Sequence, residues 1–145
     1  MDQPLQDTLY QKYPNLFINK DKDIRSSCMA WGVDCGNGWY DIISSLCWAI
    51  KQHEDNIKWN REYLEKNNKA KLAEQKEYFP VRFDQIKEKY GGLRIYFSGG
   101  DEYIEGLVSM AESFSYQVCE RCGQKGKPNE GGWISTLCDK CRNEP

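Results

Sequence analysis

The chain has 145 residues, of which 39% are hydrophobic and 29% are charged, and its formal net charge is -2. This composition is typical of one folded domain and excludes an intrinsically disordered chain. The charge does not favour a nucleic acid as the main partner. No apolar run approaches the roughly 20 residues that cross a bilayer, so we expect no membrane partner. We see no signal peptide and expect a cytoplasmic protein, in which cysteines stay reduced.

The first clear element is a helix that follows a glycine-rich turn. Gly36, Asn37 and Gly38 indicate a turn, and Asn37 is a plausible N-cap. Apolar residues then recur at helical spacing, namely Ile42, Ile43, Leu46, Cys47 and Ile50. Residues 51–77 are highly charged, with acid-first pairs at four-residue spacing, namely Glu54–Lys58, Glu62–Lys66 and Glu65–Lys69. We predict a long charged helix over about 38–77, or two helices with a break near Asn67 and Asn68.

A β-hairpin is predicted next, over about residues 81–98. Leu93, Ile95 and Phe97 alternate with polar residues, which is typical of a half-buried strand. The segment from Val81 to Ile86 suggests a partner strand with a bulge, and "EKYGG" would be the turn. Pro80 restricts that strand to a sheet edge or to a strand beginning. An alternative interpretation makes 83–89 a short helix capped by a glycine.

A second amphipathic helix follows the hairpin. Asp101 is a fitting N-cap, and two glutamates in the first turn suit the helix dipole. One apolar face is formed by Ile104, Leu107, Val108, Ala111 and Phe114. This helix runs directly into a cysteine-rich tail.

The tail contains a four-cysteine metal-binding pattern. Cys119 and Cys122 form one C-x-x-C pair, and Cys138 and Cys141 form a second after fifteen residues. This spacing is typical of a zinc ribbon, in which four thiolates close a tetrahedron around a structural zinc ion. Iron binding and thiol exchange are the alternatives. We expect Trp133 and Ile134 to pack the ribbon onto the preceding helix.

The predicted fold is therefore α+β, with helices on a small antiparallel hairpin and a C-terminal zinc ribbon. Residues 1–117 would form the core domain, and residues 118–145 would form the ribbon. Residues 119–145 carry five basic and four acidic side chains. A nucleic-acid partner is compatible with a ribbon but is not favoured by this balance. The long helix and the five tryptophans make a homodimer reasonable.

Two glycine-rich turns are candidate binding sites. A turn that opens a helix exposes backbone N–H groups, which bind phosphates and carboxylates, although capping alone also explains it. The hairpin turn is surrounded by basic and aromatic side chains that suit a phosphorylated ring compound, although a charged strand edge is an equal alternative. The predicted ligand-binding residues are Gly36, Asn37, Gly38, Trp39, Lys87, Lys89, Tyr90, Gly91, Gly92, Arg94 and Tyr96. No catalytic residues are predicted, because there is one histidine and no hydrolase motif.

Three motifs together resemble a known group of proteins. "CGNGWYDII", "KEKYGGLRIYFSG" and "SYQVCERCG…GWISTLCDKC" are similar to small zinc-ribbon proteins of tailed bacteriophages and prophages, a family without a settled biochemical role. The resemblance covers about residues 34–50 and 81–141. It implies an accessory phage protein acting in the bacterial cytoplasm, where such proteins often counter host defence.

Three functions are compatible with this resemblance. The preferred expectation is a non-enzymatic protein that sequesters a small phosphorylated ligand, such as a cyclic nucleotide immune signal. The second is a ribbon adaptor that binds and inhibits a host protein or a nucleic-acid complex. The third is a hydrolase of a nucleotide signal.

Overall fold

The computed structural model describes residues 1–145 and confirms the α+β class. The helices are α1 (Gln3–Lys12), α2 (Tyr40–Asn67), α3 (Lys69–Glu74), α4 (Glu102–Ser115) and α5 (Asp139–Asn143). The strands are β1 (Val33–Asp34), β2 (Arg82–Lys89), β3 (Gly92–Ser98), β4 (Lys127–Pro128) and β5 (Thr136–Leu137). None of the helices combines the length and the apolarity that a membrane span requires.

The main sheet has three strands in the order β1-β2-β3. β2 pairs in parallel with β1 and antiparallel with β3, so it is the central strand and Pro80 precedes its beginning. The register shifts between Phe83 and Gln85. Because 82–89 is a strand, the helical alternative for 83–89 is wrong. The turn consists of Tyr90 and Gly91, with φ of 52° and 79°, which matches the twist of a two-residue hairpin.

The charged segment folds as two helices. α2 ends at Asn67, and the side chain of Asn68 accepts a hydrogen bond from the Lys71 amide to cap α3. The predicted ion pairs in this segment do not form. The ion pair at four-residue spacing on α2 joins Lys51 and Asp55 at 2.6 Å instead.

Glu54 has a tertiary role in place of its predicted ion pair. Its carboxylate accepts hydrogen bonds from the Tyr78 hydroxyl at 2.7 Å and from the Val81 amide at 3.0 Å. Glu54 therefore fixes the segment that enters β2.

The beginning of α2 differs from the prediction. Asn37 is not its N-cap, because residues Asn37–Trp39 form a 3-10 turn before the helix. The Asn37 amide group donates to the Asp2 carboxylate at 2.7 Å and accepts from the Asp2 backbone at 2.8 Å. Asn37 thus holds the N-terminal segment against the turn.

The core lies between the sheet and the helices α2 and α4. Its largest fully buried side chains include Trp39, Phe17 and Phe83. On α4, Asp101 is the predicted cap, with its carboxylate accepting from the Ile104 amide at 3.1 Å. The buried face of α4 is Ile104, Val108, Ala111 and Ser115. The predicted face was wrong at its C-terminal end, since Phe114 is 50% exposed.

Candidate metal centre and the turns that hold it

The four cysteines predicted as metal ligands lie together at the end of the chain. The sulfur atoms of Cys119, Cys122, Cys138 and Cys141 all lie within 4.8 Å of one another. The sulfurs of Cys122 and Cys138 are 3.7 Å apart. Four thiolates about 2.3 Å from a tetrahedral zinc ion are about 3.8 Å from one another. The four sulfur atoms are therefore close enough to one another to hold a single metal ion.

Two local turns point the sulfur pairs at each other. In the first, the Gly123 amide donates to the Cys119 carbonyl at 2.9 Å, and Gly123 has a φ of 79° that favours glycine. In the second, Cys138 is the N-cap of α5, and its sulfur accepts from the Cys141 amide at 3.4 Å. Antiparallel pairing of β4 and β5 joins the two turns into one unit.

The pKa values of the cysteine thiols favour binding of a cation by the cluster. Burial opposes ionisation of Cys119, but hydrogen bonds from the amides of Cys138, Cys122 and Arg121 outweigh it and lower its pKa to about 6. Burial and the neighbouring sulfurs raise the pKa of Cys141 to about 12. The first thiolate forms readily, whereas four thiolates together repel one another. A bound divalent ion removes that repulsion.

Two arginines of this unit brace its backbone. Arg121 donates to the Cys141 carbonyl at 3.0 Å. Arg142 donates to the Lys127 carbonyl at 2.7 Å. These guanidinium groups therefore close the ribbon as well as offsetting the charge of the thiolates.

The first glycine turn holds the cysteine knuckle. The Gly36 amide donates to the Glu120 carboxylate at 2.9 Å, and the Gly38 amide donates to the Glu120 carbonyl at 2.7 Å. A Cβ at Gly38 would overlap the Cys119 carbonyl and lie 2.5 Å from the Gly123 nitrogen. The turn needs glycine because the backbone of the ribbon lies directly against it.

Trp39 completes this contact. Its side chain is fully buried, and its indole Nε1 donates to the Val118 carbonyl at 2.9 Å. Burial, together with the negative charges of Glu88 and Asp34, raises the pKa of the Glu120 carboxyl despite the hydrogen bond from Gly36. Glu120 is therefore a partly buried hydrogen-bond acceptor that connects the ribbon to the glycine turn of the core.

The second glycine turn also contacts the ribbon. The Thr136 hydroxyl donates to the Gly91 carbonyl at 2.6 Å, and a Cβ at Gly91 would lie 2.7 Å from the Ile134 side chain. At Gly92 the space for a Cβ is filled by the phenol of Tyr116. Both glycine turns therefore join the core to the cysteine-rich tail.

The other predicted ligand-binding residues lie on the hairpin. Arg94 donates to the Tyr116 hydroxyl at 3.0 Å, and its guanidinium lies 3.8 Å from Glu112. Lys87 and Lys89 are half-buried on β2. Tyr90 and Tyr96 are exposed, and the Lys89 ammonium lies 5.7 Å from the Tyr90 ring.

Sequence reasoning missed the residues that connect the turns to the ribbon. These are Tyr116, Val118, Glu120 and Thr136, and their partners lie far away in the sequence. Glu120 is separated from Gly36 by 84 positions. No local pattern encodes such a contact.

The expected packing of Trp133 and Ile134 onto the preceding helix is wrong. Trp133 is 84% exposed and does not cover α4, and Ile134 lies at the hairpin turn. The loop is braced by Asn129, whose side chain donates to the carbonyls of Gly131 and Trp133 at 3.0 and 2.9 Å. The same side chain accepts from the Ser135 amide at 2.6 Å. The "NEGGW" turn signal was the available clue to this loop.

Comparison with known proteins adds no relative. No protein-family model, curated protein or solved structure matches the chain. The resemblance to phage zinc-ribbon proteins therefore stays an expectation from three motifs. The geometry of the chain is that of an α+β domain with a C-terminal cluster of four cysteines that could hold a metal ion.

Proposed function

We propose that this chain is a non-enzymatic binding protein that attaches to another protein through the tip of its zinc-stabilised ribbon. The observation that carries this proposal is Trp133, which is 84% exposed at the end of a braced loop. The setting expected from the resemblance is the bacterial cytoplasm, with a host defence protein as the partner.

The loop around Trp133 supports a role in recognition. The Asn129 side chain fixes the backbone of this loop by donating two hydrogen bonds and accepting one, and Gly131 and Gly132 adopt left-handed φ values of 72° and 64°. A side chain on a fixed backbone loses little conformational entropy when it enters a partner's pocket. Tryptophan is also among the residues that most often dominate binding energy.

The surface around Trp133 suits a protein partner. Ile134 is 38% exposed and contacts the turn that carries Tyr90, which is 72% exposed. We call Tyr90, Trp133 and Ile134 the ribbon tip. Aromatic and aliphatic groups projecting from a rigid unit are typical of the central part of a protein interface.

Zinc is the metal that the donor set favours. Four sulfur ligands at this spacing fill a tetrahedron and leave no open position for water, so the metal would be structural. Cys119, Cys122, Cys138 and Cys141 would hold it. Its contribution is to keep the ribbon tip in a fixed orientation.

Sequestration of a phosphorylated ligand is the less supported proposal. We expected the backbone amides of Gly36 and Gly38 to bind a phosphate, but both donate hydrogen bonds to Glu120. The guanidinium of Arg94 is engaged by Tyr116 and Glu112. Most donors of that site therefore have partners within the chain.

The proposal is tested by matched tryptophan variants. The tagged protein, Trp133→Ala and Trp31→Ala are each cross-linked in bacterial lysate, and any stoichiometric partner is identified and purified. Trp31 is a control because it is also exposed, at 70%, and lies outside the ribbon. We expect Trp133→Ala to weaken binding to the purified partner by about 30-fold or more, and Trp31→Ala to bind normally.

Two results would contradict the proposal. One is equal binding of the partner by Trp133→Ala and the unaltered protein. The other is the absence of a protein partner together with release of a stoichiometric nucleotide when the purified protein is denatured. The second result would favour sequestration of a phosphorylated ligand.

A further inference from the structure

An apolar groove lies between α2, α4 and the ribbon, and Trp133 is not among its lining residues. Its volume is about 630 Å³. Ile42 and Ala49 of α2 form one wall, and Leu107 and Phe114 of α4 form the other. Gly123 and Lys125 of the ribbon close one end. Nothing else in the chain fills this groove.

An apolar ridge runs along the rim of the groove. Tyr103, Leu107, Met110 and Phe114 follow a spacing of four, three and four residues, which places them on one stripe of α4. Tyr103, Met110 and Phe114 are 57%, 72% and 50% exposed. This stripe lies beside the buried stripe of Ile104, Val108 and Ala111, so α4 is apolar on two adjacent faces. On this second face Tyr103 stacks on His53 and Leu107 packs against the core, whereas Met110 and Phe114 remain largely exposed.

We propose that a second copy of this chain covers this face, with the two α4 helices antiparallel about a two-fold axis. A two-fold interface brings the same surface of both copies together, so it requires a surface that is complementary to itself. Here a ridge and a groove lie side by side. The ridge of each copy would fill the groove of the other, and Met110 would lie near the axis.

The charges at the two ends of the face are compatible with this arrangement. Glu102 is exposed at the N-terminal end of α4, and Lys125 lines the groove at its ribbon end. An antiparallel arrangement brings Glu102 of each copy toward Lys125 of the other. Asp41 is the other charged residue lining the groove, and the positive end of the second helix dipole offsets its charge.

The test is the mass of the full-length, metal-loaded protein in solution, measured by sedimentation equilibrium over a range of concentrations. We expect a reversible dimer of twice the 16.9 kDa chain. Met110→Glu should raise the dimer dissociation constant by about a hundredfold, because a carboxylate would be buried without a partner. Trp59→Glu is the control, since Trp59 is similarly exposed, at 66%, on a distant part of α2.

A charge exchange separates a specific dimer from general apolar association. Glu102→Lys and Lys125→Glu should each weaken the dimer by about threefold to tenfold, and the double variant should restore it. A protein that stays monomeric at all concentrations overturns the proposal and leaves the face to another protein. Dimers that persist in Met110→Glu, or that are indifferent to both charge changes, overturn it as well.

The dimer does not depend on the proposed function of the ribbon tip. Trp133 does not line the groove, so Trp133→Ala should remain dimeric. Loss of partner binding with an intact dimer, or the reverse, would identify which of the two proposals has failed.

Discussion

His53 and Asp101 join the middle of α2 to the beginning of α4 through a hydrogen bond of 2.7 Å between Nε2 and Oδ2. The other carboxylate oxygen of Asp101 accepts from the Ile104 amide, and the His53 ring stacks on Tyr103 at 4.3 Å. Partial burial alone would raise the pKa of Asp101. The bonds from His53 and Ile104 outweigh it, and the pKa is lowered from its ordinary value of 3.8.

Asp101→Asn should therefore destabilise the protein in a pH-dependent way. A lowered carboxyl pKa gives stability that is present above pH 3.8 and is lost as the pH falls through the lowered value. We expect a loss of less than about 1 kcal/mol near neutral pH, because the pair is partly exposed and asparagine also caps helices. The measurement is the free energy of unfolding by denaturant, determined for the unaltered protein and for Asp101→Asn from neutral pH down through the carboxyl pKa. Both release metal in acid, so their difference isolates the carboxylate. A pH-independent difference would contradict the assignment.

Gly38→Ala should displace the ribbon from the core. The new Cβ would overlap the Cys119 carbonyl and approach the Gly123 nitrogen, and both are backbone atoms that cannot turn aside. We expect a loss of about 2–4 kcal/mol in the free energy of unfolding. Gly106→Ala on α4 is the control. A Cβ there meets nothing within 4 Å, so helix propensity should raise stability by about 0.5–1 kcal/mol. Equal stabilities of the two variants would show that the contact at Gly38 is loose.

Metal removal should loosen the ribbon before the rest of the protein. Elemental analysis should find one zinc ion per chain. Cys122→Ser should reduce the affinity of the cysteine cluster for zinc. Since the ribbon has only one pair of two-residue strands and the short helix α5, we expect its fold to depend on the metal. Hydrogen exchange should lose amide protection over 118–145 on chelation while the central strand β2 remains protected. Unchanged protection of the tail after complete chelation would show that packing alone holds it.

The three remaining cysteines should differ sharply in reactivity. Cys28 is exposed, whereas Cys35 and Cys47 are buried. Burial raises the pKa of Cys35 to about 12 and raises that of Cys47 further, so neither forms the reactive thiolate near neutral pH. Alkylation of the native metal-loaded protein should therefore modify Cys28 alone, as read by peptide mass spectrometry. Labelling of Cys47 at a similar rate would indicate that the core opens easily.

Features that depend on nearby residues were predictable from the sequence. The Asp101 cap follows from a carboxylate three residues before the Ile104 amide that it binds. The alternation around Ile95 indicated a strand because side chains of a strand point to opposite sides. The four cysteines were predictable because metal geometry restricts their spacing.

Features that depend on distant residues were not predictable. The glycine turns suggested free N–H groups, but the acceptor for Gly36 and Gly38 is Glu120, in the other half of the chain. Trp133 was expected to pack because large aromatic residues usually do. Instead, the Asn129 side chain fixes the backbone of its loop, and Trp133 is 84% exposed. The sequence around a residue identifies the groups it offers, and only the tertiary structure decides which of them already have partners.

The burial of Trp39 provides an intrinsic optical reporter. Four of the five tryptophans are between 59% and 84% exposed, and their emission should resemble that of indole in water. Trp39 is fully buried, with its Nε1 bonded to the Val118 carbonyl at the entrance to the ribbon. The short-wavelength part of the fluorescence spectrum therefore comes from a single indole at the junction of the core and the cysteine-rich tail. The emission of Trp39 can therefore be used to follow docking of the tail in real time, without a label.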